Sequence, residues 1–246
     1  MQRVAAMKIG STSTSLLIAT DLSHVLMRQQ RLVNMFADDR EDALAEVITS
    51  FTDSARQTQC HVMIAAGGEA MRRHPDLAVL VRKAGWDYHE VSGWQEARLT
   101  WMAVKDAVPQ MEWIVDIGGG STEFASSSEA FSVPVGAVRQ ESVTWPAVGR
   151  IQHPVLIGGT AQVLSQMVRT NVIYVSQVEA LLAELAAYPE RLSTLDALRR
   201  QIFPQGLQLV RQLFSVYGWD YVTFHPRGFL EGLWLAAHGE SEGFAW

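Results

Sequence analysis

Residues 116–123 read Asp-Ile-Gly-Gly-Gly-Ser-Thr-Glu and follow an apolar stretch that begins at Trp113. Three successive glycines, Gly118, Gly119 and Gly120, let backbone N–H groups converge on one anion with no Cβ in the way. Ser121 and Thr122 add hydroxyl donors. Asp116, at the strand end, is placed to hold a water-coordinated Mg2+, and Glu123 to polarise a water. A second glycine turn, Gly158-Gly159-Thr160, lies between a short apolar run and a helical pattern. The first turn of a helix offers unfilled N–H groups and a positive dipole end, both suited to phosphate. A third turn, Gly10-Ser11-Thr12-Ser13, has the same small, hydroxyl-rich character. Each turn alone is equally a plain chain reversal or helix start. Three of them in one chain point to phosphate.

Two further groups bear on such a site. Glu96 lies in Ser92-Gly93-Trp94-Gln95-Glu96. In the first turn of a helix it would complement the helix dipole, or face the phosphate and take a proton from an attacking water. Arg72 and Arg73 follow Gly67-Gly68-Glu69, and one of them could bind phosphate through a charge-assisted fork; otherwise both are surface charges. The seven histidines show no zinc-ligand spacing. The single cysteine, Cys60, excludes an intramolecular disulfide and cysteine-rich metal sites. The eight tryptophans read as core by default. Trp94, Trp101 and Trp113 are candidates to pack together where two lobes meet, and Trp234 and Trp246 for a dimer contact.

These groups need a scaffold of alternating strands and helices, hence an α/β fold. Residues 4–9 and 15–19 flank the first turn as a hairpin, with residues 25–33 as a third strand. Asp38 and Glu41 have capping-box spacing before Leu44, Val47, Ile48 and Phe51 at helical intervals. A strand at 61–66 runs into Gly67-Gly68, and another follows at 86–91. Ser92 and Gln95 cap a helix ending before Pro109. A second half follows: a strand at 113–117, a hairpin of 122–125 with 131–135, a strand at 154–157, and a helix from Thr160. A helix capped by Ser176 and Glu179, one over 204–217, a strand at 220–224 and a helix over 228–237 complete it. Element order predicts two lobes, residues 1–117 and 118–246, with a cleft between them.

The chain has 246 residues, 48% apolar and 19% charged, so it is globular. Twenty basic against 26 acidic residues give a net charge of −6 with no basic tract, which excludes nucleic acid and anionic membrane as expected partners. A polyanionic ligand must be held by a local site against that field. No run approaches the ~18 apolar residues of a membrane span, and residues 1–10 lack a signal peptide's apolar core. A soluble, reduced, cytoplasmic protein is expected.

Taken in order, the motifs resemble those of the Ppx/GppA exopolyphosphatase and guanosine-pentaphosphate phosphohydrolase family, within the actin, sugar-kinase and heat-shock ATPase superfamily. DIGGGSTE at 116–123 looks like its glycine-loop motif. SGWQEARL at 92–99, GGEAMRRHPD at 67–76, VPVGAVR at 133–139, IGGTA at 157–161 and PRGFLEG at 226–232 are similar to its other motifs. The resemblance implies two ribonuclease-H-like lobes with the active site between them, the second shortened here. It implies Glu96 as the base that activates water, Asp116 as a metal-organising acid and Glu123 as the acid after the glycine loop. Gly118 to Ser121 and Gly158 to Thr160 would be opposed phosphate loops, Gly10, Ser11, Thr12 and Ser13 a further one, and Arg72 a phosphate ligand. The implied reaction is Mg2+-assisted hydrolysis of a terminal phosphoanhydride in polyphosphate or pppGpp, and the implied assembly is a homodimer.

The first motif departs from the family's D-x-G-S-N-S. It reads Lys8-Ile9-Gly10-Ser11-Thr12-Ser13, so a metal-holding acid has become a cation and an Asn has become Thr12. A Lys ammonium beside Asp116 would repel a metal and could occupy its place. At ~4 Å and an effective dielectric of ~20, such a pair attracts by about 4 kcal/mol before desolvation. The family's Thr before the arginine motif is Gly68 here. Two readings follow: a hydrolase whose charge neutraliser is Lys8 rather than Mg2+, or a non-catalytic binder of phosphate or a phosphorylated nucleotide. A small-molecule kinase is a third, requiring an adenosine pocket in the shortened second lobe.

Overall fold

The computed structural model describes residues 2–139, 143–148, 151–152 and 154–239. It divides into two units, one of Met1–Ala103 with Phe229–Trp246 and the other of Val104–Gly228. Each is mixed α/β around its own sheet.

In the first unit, β1 (Val4–Ile9), β2 (Ser13–Asp21) and β3 (His24–Leu32) form an antiparallel meander. β4 (Val62–Gly67) and β5 (Asp87–Glu90) continue the sheet in parallel from the other side of β1, giving the order β3-β2-β1-β4-β5. The helices are α1 (Arg40–Gln57), α2 (Glu69–Arg73), α3 (Ala78–Lys83) and α4 (Gly93–Ala107). Strand β1 is apolar on both faces because both are covered. Ala5, Met7 and Ile9 pack with Leu44, Ile48 and Phe51 of α1 and Val81 of α3. Val4 and Ala6 join the opposite core with Leu99 of α4. Strand alternation puts Lys8 on that second face, at the end of β1.

The second unit repeats the plan. β6 (Ile114–Ile117), β7 (Thr122–Ala125) and β8 (Ala130–Val133) form an antiparallel meander. β9 (Val155–Ile157) runs parallel to β6. After α5 (Gly159–Val168), β10 (Val172–Tyr174), α6 (Val175–Ala187) and α7 (Ala197–Tyr217), β11 (Tyr221–Phe224) pairs parallel with β9. The order β10-β11-β9-β6-β7-β8 equals that of the first unit with β10 added antiparallel at the edge. Its core gathers Val115, Ile117, Phe124, Leu156, Leu164, Leu181, Leu207 and Phe214. The last helix, α8 (Phe229–His238), packs on the first sheet.

Several expectations are corrected by local geometry. Helix α1 starts at Arg40 after Asp39, with no side-chain cap, so the Asp38–Glu41 spacing is not used. Helix α6 starts at Val175, where the Tyr174 N–H donates to Gln177 Oε1 at 2.9 Å, in place of a Ser176–Glu179 cap. Helix α7 begins seven residues before Pro204, at Ala197, because Asp196 Oδ1 accepts the Arg199 N–H at 2.8 Å. The Ser92–Gln95 capping box is present: Ser92 N–H donates to Gln95 Oε1 at 2.9 Å and Gln95 N–H to Ser92 Oγ at 3.2 Å. The units divide inside α4 and after Gly228. The end of the chain returns to the first sheet through α8, whose Trp234 is fully buried and donates Nε1–H to the Val4 carbonyl at 3.2 Å. Trp234 is therefore core and offers no dimer surface, and Trp246 lies outside the described residues. Trp94 is exposed on α4, while Trp113 stacks on Phe131.

Candidate phosphate site

The glycine loop of the second unit is shaped by the segment that follows β8. Gly118 N–H donates to the Ser121 carbonyl at 2.9 Å, closing the β6–β7 turn. The Gly118 carbonyl accepts from Ala137 N–H at 2.9 Å, and the Gly119 carbonyl from Val138 and Arg139 N–H at 2.8 and 3.2 Å. A trans peptide points its N–H opposite its carbonyl. The Gly119 and Gly120 N–H groups therefore face away from residues 136–139. Among the described residues neither donates to a backbone acceptor. Gly136 makes this possible, since a Cβ there would lie 2.5 Å from the Gly119 carbonyl oxygen. The Thr122 hydroxyl is not a spare donor, because it is buried and donates to the Val135 carbonyl at 2.6 Å.

The second glycine turn packs against the same strand end. Gly158 adopts φ 98°, and a Cβ on it would meet the Ile117 carbonyl oxygen at 2.4 Å and Asp116 Oδ1 at 2.8 Å. Only glycine fits, by backbone conformation and by space. The contact sets the start of α5 beside the strand that feeds Gly118. The first intrahelical bond in α5 is Gln162 N–H to the Gly158 carbonyl, at 3.0 Å, and no side chain caps the helix. The N–H groups of Gly159, Thr160 and Ala161 thus point out of the first turn. Thr160 itself is buried, and a Cβ at Gly206 of α7 would lie 2.3 Å from its Oγ1. Its side chain fixes helix to helix while its amide belongs to the turn.

The two acids of the glycine motif are both buried. Asp116 and Glu123 are direct partners in the β6–β7 register. Ser132 Oγ donates to Glu123 Oε1 at 2.9 Å. Like charges directly opposite across a ladder oppose one another, so the pair is held by its surroundings, of which Ser132 is one.

In the first unit the Gly10–Ser13 turn has the same construction. Gly10 N–H donates to the Ser13 carbonyl at 3.0 Å, and the Ser11 and Thr12 carbonyls accept from Met35 and Val33 N–H at 2.9 and 3.2 Å. The Thr12 N–H consequently turns away from residues 33–35. Two residues before the turn glycine stands Lys8, as Asp116 stands two before Gly118.

Glu96, on the first turn of α4, sits on the same side of the sheet as Lys8. The Lys8 ammonium is 4.0 Å from Glu96 Oε1 and 5.2 Å from the centre of the Phe229 ring. The carboxylate placed near Lys8 within this unit is thus Glu96. Its side chain is 11% exposed. A Cβ at Gly68 would lie 2.0 Å from Glu96 Oε2, so the carboxylate occupies the space that a side chain at 68 would fill. Arg72, on α2, donates through its guanidinium to the Val91 carbonyl, and its N–H to the Gly68 carbonyl at 3.1 Å. This ties α2 to the segment that begins α4. Arg73 pairs instead with Glu69. Further along α4, the Arg98 guanidinium lies 4.9 Å over Trp101, and burial holds its pKa below the usual value.

Mg2+ is ordinarily held by one or two carboxylates together with waters and the phosphates of its substrate. Among the described residues no group of three or more His, Cys, Asp or Glu gathers. The first unit offers an ammonium beside Glu96, and the second a pair, Asp116 and Glu123.

Three residues that shape the site have no chemistry of their own to mark them: Gly68, Gly136 and Ser132. Gly68 carries a sequence signal, a missing side chain inside an otherwise matching motif, and Gly136 is the glycine of the VPVGAVR motif.

The profile of the Ppx/GppA phosphatase family matches residues 8–155, more than half of the chain. An exopolyphosphatase from Cytophaga hutchinsonii is similar in structure with a TM-score of 0.81 at 20% identity, covering 97% of this chain and 98% of that one. The Ppx/GppA family member of Aquifex aeolicus gives 0.78 at 19% identity, covering 98% and 99%. No curated protein sequence matches. The structural likenesses carry the α/β fold of two sheets, and the family profile runs from Lys8 through Glu96 and the glycine loop to β9. The chain belongs to the Ppx/GppA phosphatase family.

Proposed function

We propose that this protein hydrolyses phosphoanhydride bonds and releases terminal orthophosphate, with inorganic polyphosphate or a guanosine penta- or tetraphosphate as substrate. The observation that carries the reading is Glu96, a largely buried carboxylate fixed between Gly68 and Lys8. In the proposed reaction Glu96 takes a proton from a water whose oxygen attacks the terminal phosphorus. The bond from that phosphorus to the bridging oxygen breaks, and the shortened chain leaves as the anion. Charge on the transferring group spreads over its equatorial oxygens, where fixed N–H donors help most. Gly119, Gly120 and the first turn of α5 supply such donors, and Arg72 a cation. Buried Glu123, braced by Ser132, stands beside Asp116 across the ladder. Membership of a phosphatase family and the exopolyphosphatase from Cytophaga hutchinsonii support this reaction class.

The test is orthophosphate release from polyphosphate and pppGpp by wild type and Glu96→Gln, across divalent metals and without metal. Release by wild type and its loss in the variant are expected. No release under any condition overturns the hydrolase reading.

The Lys8–Glu96 pair favours a second reading. The Lys8 ammonium holds the Glu96 carboxylate as an ion-pair partner, and a protein that binds phosphate or a phosphorylated nucleotide without turnover needs no base. Ligand-induced thermal stabilisation with no phosphate released would identify it. An unchanged melting temperature across polyphosphates and nucleotides would eliminate it.

A further inference from the structure

We infer that one device seats the working helix of each unit: a glycine on a later helix, Gly232 of α8 behind the helix that carries Glu96, and Gly206 of α7 behind the first turn of α5. Both are positioning residues and act through the residues they pack against. The inference rests on the proposal above that Glu96 is the base and that the first turn of α5 gives its amides to phosphate.

Neither glycine answers a backbone need. Both lie inside helices, and neither takes the positive φ of Gly158 or Gly218. Inside a helix glycine is less stable than alanine, so each is there for space. A Cβ at Gly232 would lie 2.0 Å from the Leu99 carbonyl oxygen and 3.0 Å from the Leu99 Cα. Its absence lets α8 rest on the backbone of α4 about one turn after Glu96. Helix α8 is itself fixed to the sheet. Trp234 Nε1–H donates to the Val4 carbonyl at 3.2 Å, buried Glu231 pairs with Arg28 of β3, and Leu233 shares a core with Val4 and Ala6 of β1. The height of α4 over the sheet, and Glu96 with it, therefore follows α8.

In the second unit the neighbour is a side chain. A Cβ at Gly206 would lie 2.3 Å from Thr160 Oγ1 and 2.8 Å from its Cγ2. Thr160 is buried in the first turn of α5. Its side chain is the spacer between α7 and the turn, while the N–H groups of Gly159, Thr160 and Ala161 point out of that turn. A methyl at 206 pushes on the spacer and tilts those amides. A methyl at 232 pushes on α4 and moves the base. The two substitutions thus separate binding from turnover, which loss of packing alone would not do.

The experiment is orthophosphate release from sodium tripolyphosphate over a range of concentrations, with and without Mg2+. It compares wild type, Gly232→Ala, Gly206→Ala and the double variant Gly206→Ala/Thr160→Ala, with ¹⁵N amide spectra of each full chain recorded before phosphate is added. Gly232→Ala should lower kcat roughly 10–100-fold at nearly constant KM. Gly206→Ala should raise KM roughly tenfold with a smaller loss of kcat, and removal of the Thr160 side chain should recover most of that rise. In the phosphate-free spectra Gly232→Ala should shift the Gln95, Glu96 and Ala97 amides, and Gly206→Ala those of Gly159, Thr160 and Ala161. A lower melting temperature with wild-type kcat and KM in either variant, or amide signals that stay in place, overturns the inference and leaves the hydrolase reading standing. Wild type that releases no phosphate overturns the hydrolase reading instead, and the amide shifts then decide the inference alone. Should Gly232→Ala not fold, Gly206→Ala and its double variant decide, because their clash is with a side chain and not with backbone.

Discussion

The first unit and the second build the same turn on the same strand of the same sheet, and equip it oppositely. In the second, Gly118 to Gly120 present backbone alone, behind them lie two buried acids, and the first turn of α5 packs against the strand end through Gly158. In the first, Ser11 and Thr12 bring side-chain hydroxyls, Lys8 brings a positive charge, and Glu96 reaches in from α4. The hydrogen-bond frame is shared down to the closing glycine–serine bond, at 3.0 and 2.9 Å. The frame is therefore a scaffold for aiming amides, and the charge at the strand end varies independently of it. In the proposed function the amides of the glycine turns take phosphate and Glu96 is the base.

Substitutions can break this division of labour. Glu96→Gln keeps shape and removes the base, so phosphate release should fall by roughly 10²- to 10⁴-fold with the melting temperature nearly unchanged; a variant retaining full activity would take the base out of the first unit. Gly68→Ala should come next. Its Cβ collides with the carboxylate of Glu96 rather than with backbone, so the carboxylate shifts. Turnover should drop by roughly 10–100-fold at little cost to stability, as steady-state rates and a melting curve together would show.

The second unit responds differently, because its contacts are backbone on backbone. Gly136→Ala drives a methyl into the Gly119 carbonyl, and should destabilise by about 1–3 kcal/mol while weakening phosphate binding, seen by denaturant unfolding and calorimetry. Unchanged binding in Gly136→Ala would take the glycine loop out of the phosphate site. The smallest effect belongs to Ser132→Ala, which leaves the buried Glu123 short of one donor and should cost about 1 kcal/mol in the same unfolding measurement.

Much of this was legible in the residues. The glycine loops announce themselves, because a glycine run at the end of an apolar strand answers a backbone need. The Ser92–Gln95 box fixed the start of α4 and with it the place of Glu96. What could not be read was tertiary. Lys8 and Glu96 are far apart in sequence, and nothing local says that they meet over the end of β1. Gly68 looks like a lost side chain until Glu96 is seen in the space it leaves. The Asp38–Glu41 spacing misled because acidic residues are common in first turns whether or not they cap. Strand β10, three residues long, carries too little alternation to register. The return of α8 to the first sheet depends on the fit of Trp234 against Val4, which no periodicity encodes.

The claim at the centre is that the amides of the glycine turns hold the phosphate chain. Amide spectra of the ¹⁵N-labelled protein, titrated with sodium tripolyphosphate, test it most directly. The account predicts that the Gly119, Gly120, Gly159 and Thr12 amide signals shift together along one saturable binding curve. Saturable binding that leaves those four signals in place, and moves others instead, would contradict it.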